Sequence, residues 1–222
     1  MADQHAVPAA PRPTVAVAGS GLRFPVRRIF CVGRNYPEHA REMGASDLRA
    51  SPFFFTKPAD AVVESGAVVP FPARTADLHH EIELVAALGA DREVFGYAVG
   101  NDLTRRDVQL SLKQAGRPWD TAKGFDHSAP VTPIARAADI GHPGRGRIWL
   151  EVNGALRQEG DIADMIWRVP EIIAELATWF ELRPGDLVFT GTPAGVGRLV
   201  PGDRVRGGVD GVGILEHRMA AA

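Results

Sequence analysis

"DLHHEIELVAALG", residues 77–89, sets two glutamates into a run that is otherwise apolar. Acidic side chains normally belong to a solvated surface. Glu81 and Glu83 instead stand among Ile82, Leu84, Val85, Ala86, Ala87 and Leu88. Their spacing of two decides the local geometry. On a helix, residues two apart point to opposite sides, about 200° around the axis. On a strand they share a face, roughly 6.5–7 Å apart along the chain. The window reads as a strand ended by Gly89, with Ile82, Leu84, Ala86 and Leu88 filling one face and both carboxylates on the other. Two like charges that close repel by roughly 2–4 kcal/mol at an intermediate dielectric. Either water screens them on an exposed acidic face or a cation sits between them.

The next strand settles more. "FGYAVGND" (95–102) follows a short polar turn, "GADREV". If the two strands form a hairpin with residues 88 and 95 opposed, Glu81 faces Asp102, and opposed residues share a face. Glu81, Glu83 and Asp102 then form one cluster. Three converging carboxylates, with a lone Cys31 that reads as core, make a hard, oxygen-rich site. That chemistry selects Mg²⁺ or Mn²⁺ over Zn²⁺. His79 falls on the same strand face. It is either a fourth ligand or a hydrogen-bonded structural histidine, the latter being the commoner use.

The 222 residues suffice for one domain with a full core. A net charge of −2 with no basic run argues against nucleic acid, and no apolar stretch reaches membrane-spanning length. The N-terminus shows no signal-peptide layout, and one cysteine suits a reducing cytoplasm. Residues 1–13 read as a loose arm and 14–222 as a single domain. With 24 glycines and 17 prolines, the composition favours many short strands and turns over a helix bundle.

Along that domain, "TVAVAGSGLRFPV" (14–26) reads as a hairpin. Its Gly19-Ser20-Gly21 is a turn, since the third glycine of a nucleotide fingerprint is missing. "RRIFCVG" (27–33) is a short buried strand and "SPFFFTKPADAVV" (51–63) a strand broken by prolines. "RNYPEHAREMG" (34–44) is a helix with Pro37 in its first turn and Gly44 at its end, so His39 and Glu42 share a face. They are a base with its orienting carboxylate, or an ordinary exposed pair. "TRRDVQLSLKQAG" (104–116) is a helix opening on a Thr104–Asp107 capping box, with Arg106 and Gln109 on one face. Lys123 stands in a loop. "IWLEVNGALRQEG" (148–160) is a hairpin turning on Asn153-Gly154. "PEIIAELATWFEL" (170–182) is an amphipathic helix, its core face formed by Ile172, Ile173, Leu176, Trp179 and Phe180. "TGTPAGVG" (190–197) is a strand and Gly-rich turn whose amides and Thr192 suit a carboxylate.

"CVGRNYPEHAREMG", "FFFTKPADAVV", "HHEIELVAALG", "GYAVGNDLTRRDVQ", "KGFDHSAPVTP", "LEVNGALRQEGD" and "PGDLVFTGTPAGVG" together resemble the fumarylacetoacetate hydrolase family, from about Ile29 to the C-terminus. "GNDLTRRDVQ" and "FDHSAP" resemble its short acylpyruvate hydrolase branch. The resemblance implies an α+β, β-rich fold of mixed sheets with a few short helices, and a homodimer. It implies that Glu81, Glu83 and Asp102 bind Mg²⁺ or Mn²⁺. It implies that His39 and Glu42 activate water from a lid helix, and that Lys123 is catalytic. Arg34, Arg106, Gln109, Gly191 and Thr192 stand at substrate-contacting positions. One departure is the "GADREV" connection, shorter than the helix-containing link usual in relatives.

The implied reaction is hydrolysis of a carbon–carbon bond in a 2,4-dioxo acid, foremost fumarylpyruvate to fumarate and pyruvate in gentisate breakdown. The alternative is an oxaloacetate decarboxylase or another 2-oxo acid lyase or isomerase. A fumaryl group carries a second carboxylate. Arg34, Arg41, Lys57 and Arg105 are the cations available for it, with Arg41 favoured because it lies in the lid helix.

Overall fold

The computed structural model describes residues 6–42, 44, 49 and 51–221. Of the expected arm, residues 1–5 lie outside the described residues, and residues 6–12 are exposed and outside the sheets. Strands dominate, as the turn-rich composition requires. A large mixed sheet runs in the order Phe53–Lys57, Arg28–Gly33, Asp186–Phe189, Ile82–Leu88, Val94–Asn101, Ala129–Val131 and Val62–Glu64, with Ala135–Arg136 also paired to Val94–Asn101. A second sheet holds Ala155–Asp161, Arg147–Val152, Arg204–Val209, Gly213–Met219 and Val68–Val69. The expected hairpin at the start pairs Thr14–Ala16 with Arg23–Pro25. Asn153 (φ 54°) and Gly154 (φ 80°) make the left-handed two-residue turn that suits the strand twist. Among the described residues no helix is long and apolar enough to cross a membrane.

The Ile82–Leu88 strand lies in the middle of the large sheet and is buried along its whole length. Ile82, Leu84, Ala86 and Leu88 face a core shared with Ile148, Leu150, Val205 and Leu215 of the second sheet and with Ile172 and Leu176 of the helix Val169–Trp179. Val85 and Ala87 face a second core with Ile29, Cys31, Leu187, Phe189 and Val15. The sheet is therefore covered on both faces, and the glutamate face is interior. The expectation of a single apolar face undercounted Val85 and Ala87.

The hairpin register follows the expected pairing from Ile82↔Asn101 through Ala87↔Gly96. It then slips by one residue, so Leu88 faces Val94 and not residue 95. Phe95 stacks on Phe24 of the first hairpin, ring centroids 5.5 Å apart. The slip falls beyond the carboxylates and does not disturb them.

Two helix expectations need correction. Thr104 does not cap a helix. Thr104–Arg105 is a short strand on Leu78–His80, and the helix spans Arg106–Gln114. Asp107 instead accepts from the Thr75 hydroxyl and the Ala76 amide, fastening the loop before the glutamates. Trp179 is not core: it is 70% exposed at the end of its helix, while Phe180 packs on Phe30 with centroids 5.0 Å apart. The Trp179 indole instead donates to Glu175 on the same helix at 3.3 Å.

Two-sided burial predicts that Leu84→Ala costs about 2–5 kcal/mol. The check is a urea midpoint shift at unchanged slope. A loss under about 1 kcal/mol would mean that the strand is not held by its packing.

Candidate metal and acid-base site

The glutamate strand brings the three carboxylates together through its register. The Asp102 amide donates to the Glu81 carbonyl at 2.8 Å. Glu83 pairs with Gly100, which interposes no side chain. One oxygen from each carboxylate lies within 4.8 Å of the others, and all three residues are buried.

Such a cluster survives only with compensation. Lys123 Nζ donates to Glu81 Oε2 at 2.8 Å and to Asp102 Oδ2 at 2.6 Å. Lys57 Nζ sits 2.8 Å from Asp102 Oδ1 and also donates to the Leu103 carbonyl at 3.1 Å. Arg106 Nη2 donates to Glu81 Oε1. Burial works against ionisation of Glu81, but Lys123, Arg106 and His39 outweigh it and hold the carboxyl below its usual range. Glu83 goes the other way: burial, then Asp102 and Glu81, push its carboxyl well above the ordinary value. Burial disfavours the Lys123 ammonium, but Asp102 and Glu81 more than offset this and raise it. Lys123 is not in a loop, as its surroundings in sequence suggest. It ends the four-residue helix Asp120–Lys123 and is fully enclosed.

His39 stands on the helix Pro37–Glu42, with Nδ1 3.3 Å from Glu42 Oε2. Burial lowers its pKa, with Glu81 and Glu42 opposing, so the imidazole is biased to neutral. With Nδ1–H donated to Glu42, Nε2 is left as a proton acceptor. The other Glu42 oxygen accepts from the Gly195 amide at 3.1 Å, which ties the helix to the Gly-rich turn.

That turn also serves Glu83. The Gly191 amide donates to Glu83 Oε2 at 2.7 Å. Gly191 has φ +96°, and a Cβ there would collide with the side chain of Asn35. Only glycine meets both demands. Asn35 in turn donates to the carbonyls of Thr190 (2.8 Å) and Trp167 (2.9 Å) and accepts from the Trp167 amide (2.7 Å). The Gly191 amide, expected to serve a substrate carboxylate, is engaged by the protein's own Glu83.

One small cavity of about 30 Å³ is lined by Arg34, His39, Glu81, Glu83, Arg106, Gln109, Lys123 and Thr192, with Phe53, Phe55 and Trp119. Asp102 lies behind Lys123 and Gly191 behind Glu83. Larger open clefts of about 690–780 Å³ lie elsewhere and contain none of these carboxylates. Arg106 is engaged by Glu81, by Gln109 (2.5 Å) and by His79 Nδ1 (3.3 Å). His79, whose Nε2 meets Asp77 at 3.1 Å, is thus a hydrogen-bonded brace for Arg106 and no member of the carboxylate cluster.

Three of the four cations considered for a second carboxylate do not line this cavity. Arg41 lines a separate cleft with Glu38 and Asp164. Lys57 is consumed by Asp102. Arg105 lies over Phe125, 4.4 Å from its centroid, and bonds the Thr121 carbonyl.

Three bracing residues escaped the sequence reading. Lys57, considered only as a cation for a second carboxylate, braces Asp102 instead. Gln158 sits in a hairpin of mostly exposed residues, yet it is fully buried. Its oxygen accepts from His80 (2.8 Å) and the Ile82 amide (3.1 Å), and its nitrogen donates to Thr192 Oγ1 (2.8 Å) and the Pro193 carbonyl (2.9 Å). Asn101 Oδ1 accepts from the Glu81 amide at 2.8 Å. The period-2 parity of residue 101 was the one signal that marked any of them.

The residues fit a divalent ion. The donors are all oxygen, and Asp102 Oδ1 is buried with a cation nearby but no well-directed hydrogen bond. Glu81, Glu83 and Asp102 would hold the ion and leave other coordination positions open. Mn²⁺ or Mg²⁺ should stabilise the fold by about 2.7 kcal/mol at a hundred-fold excess over the dissociation constant. Chelator should reverse the gain in Tm, and affinity should rise with pH as Glu83 gives up its proton. Glu83→Gln should abolish the response. A wild-type melt indifferent to both metal and chelator would refute the site.

The profile described as "Fumarylacetoacetate (FAA) hydrolase C-terminal" matches residues 28–220. A fumarylpyruvate hydrolase from Ralstonia sp is 44% identical over 170 residues, covering 72% of this chain and 88% of that protein. An oxaloacetate tautomerase of Escherichia coli (strain K12) is 40% identical over 204 residues, covering 87% and 93%. The crystal structure of fumarylpyruvate hydrolase from Pseudomonas aeruginosa in complex with Mn²⁺ and pyruvate is 47% identical, with a TM-score of 0.95 over 99% of this chain and 100% of that one. The expected β-rich fold is thereby found, and the chain belongs to the fumarylacetoacetate hydrolase family.

Proposed function

We propose that this chain is a divalent-metal-dependent hydrolase that cleaves a carbon–carbon bond in an acylpyruvate, foremost fumarylpyruvate to fumarate and pyruvate. One observation carries the reading: His39 with its Glu42 partner, the Lys123 ammonium and the glutamates of the acidic cluster line one cavity. Metal binding alone would need neither an oriented imidazole nor an enclosed lysine. The relatives named for this activity, one of them holding Mn²⁺ and pyruvate, support it.

Charge supports an anionic substrate. Three carboxylates, three cationic side chains and a bound divalent ion leave two positive charges, which an oxo acid and the enolate formed from it neutralise. A cation held by Glu81, Glu83 and Asp102 supplies Lewis-acid polarisation of the substrate's 2-oxo acid end. His39 Nε2 takes a proton from water, and Glu42 steadies the imidazolium. Hydroxide adds to the 4-carbonyl carbon. The C3–C4 bond then breaks, its electron pair leaving as the enolate of pyruvate, which takes up a proton. Lys123 stabilises the negative charge as it develops, usually the largest single contribution in such sites. Thr192 accepts from Gln158, so its own hydroxyl proton is free for the substrate carboxylate.

A decarboxylase or isomerase of oxaloacetate is the competing reading, supported by the tautomerase relative. It requires enolate stabilisation but no activated water. His39→Ala therefore separates the two. Acylpyruvate hydrolysis should fall by about 10²–10⁴-fold, with the metal response intact and oxaloacetate chemistry less affected. The assay follows fumarate and pyruvate release with Mn²⁺ present. Equal loss of both activities would assign His39 another role. We further read residues 14–222 as the catalytic unit, residues 1–13 as an arm, and the chain as a cytoplasmic homodimer serving gentisate breakdown. The dimer is checked by sedimentation.

A further inference from the structure

We infer that Arg34 and an aromatic wall beside it select substrates whose acyl arm is flat, unsaturated and ends in a carboxylate. The inference rests on the hydrolase reading and specifies its substrate. Four contacts run in sequence along one side of the cavity. Lys123 Nζ lies 4.9 Å from the Phe55 ring centroid. Phe55 and Trp119 have centroids 6.1 Å apart. Trp119 and Phe53 meet edge-on at 5.4 Å. The Arg34 guanidinium lies 5.6 Å from the Phe53 centroid. The wall thus begins at the lysine placed at the reacting bond and ends at a second cation.

The backbone builds this arrangement on purpose-suited positions. Phe53 and Phe55 share a face of the Phe53–Lys57 strand, about 6.5–7 Å apart along it. Phe53 pairs with Gly33, and a Cβ at Gly33 would overlap the Phe53 ring, so the missing side chain makes room for the ring to lie flat. The next residue, Arg34, has φ +57°. That left-handed conformation is uncommon outside glycine and marks a position held by something other than local preference. Among the described residues, Arg34 has no carboxylate partner and no hydrogen bond, only the ring beneath it. A guanidinium in that setting is a bidentate receptor for a carboxylate. Aromatic faces between the two cations suit a conjugated carbon arm and offer nothing to a polar one. A methyl group reaches neither Arg34 nor most of the wall.

The test compares Arg34→Met with wild type in kcat/KM for fumarylpyruvate and acetylpyruvate, both with Mn²⁺. Loss of one charge-assisted contact should reduce the fumarylpyruvate-to-acetylpyruvate ratio by about ten- to a hundred-fold. Calorimetry supplies a reading independent of turnover: fumarate affinity should fall by a similar factor while pyruvate affinity holds. Arg34→Lys, which keeps charge but not the fork, should lie between the two and serves if the Met variant does not fold. An unchanged ratio with unchanged fumarate affinity overturns the proposal, as does a wild type without preference for the dicarboxylate. Arg34-dependent fumarate binding in a protein that hydrolyses neither compound would uphold the proposal and remove the hydrolase reading instead.

Discussion

Everything near the cavity answers to one constraint: carboxylates stand on a strand that is buried on both faces. Glu83 shares its face with Val85 and Ala87, inside the second core. Charges cannot be taken there without partners, because the cost is several kcal/mol per ion. Lys57, Lys123 and Arg106 supply them from three separate elements. The Phe53–Lys57 strand, the Asp120–Lys123 helix and the Arg106–Gln114 helix are therefore fixed relative to the glutamate strand by electrostatics as well as packing. Removal of one member leaves another uncompensated. The cluster consequently behaves as a unit, and single-residue energies within it are not additive.

Around this charged centre lies a shell of neutral amides. Asn35 and Gln158 each bridge backbone groups that flank a site residue, and Asn101 joins the Glu81 amide to the His217 ring. An amide side chain presents both donors and an acceptor, so one residue can hold two backbone strands where no ladder joins them. Gln158 links the glutamate strand to the turn carrying Thr192, and Asn35 links that turn to the loop before the His39 helix. Positioning thus comes from the neutral amides as well as from the ion pairs, and the amides add no charge to the cluster. Burial of His80 and His217, each pushed down to about 4, keeps this shell neutral.

The acidic cluster was legible because its geometry is local. Period-2 parity put Glu81 and Glu83 on one face, and a short hairpin fixed which residue opposes them. The bulge at Phe95 was not foreseen, but it lies on the far side of Ala87↔Gly96 and leaves the pairing of the glutamates untouched. The His39–Glu42 pair and the Arg106–Gln109 pair were legible for the same reason, as neighbours one helical turn apart. What escaped depends on distant chain segments. Nothing near Lys57 says that Asp102 will be its partner, and nothing near Gln158 says that an exposed-looking hairpin will press one side chain inward. Thr104 was misread because its strand partner, His79, lies in another segment. Arg41 was favoured over Arg34 from sequence neighbourhood alone, and the turn of the helix points it to a different cleft.

The helix bearing His39 is six residues long, far below the length at which an isolated helix persists in water. Its order is lent by contacts outside it, among them the Glu42–Gly195 hydrogen bond. The acidic cluster, in contrast, is built on and beside a strand that is buried along its whole length. The two halves of the proposed chemistry therefore differ in permanence: a standing socket for the ion, and a base present only while its helix is seated. Turnover then scales with the fraction of time that the helix is docked, in the manner of any equilibrium between competent and incompetent states. Mild urea, far short of global unfolding, will depress hydrolysis while the ion stays bound.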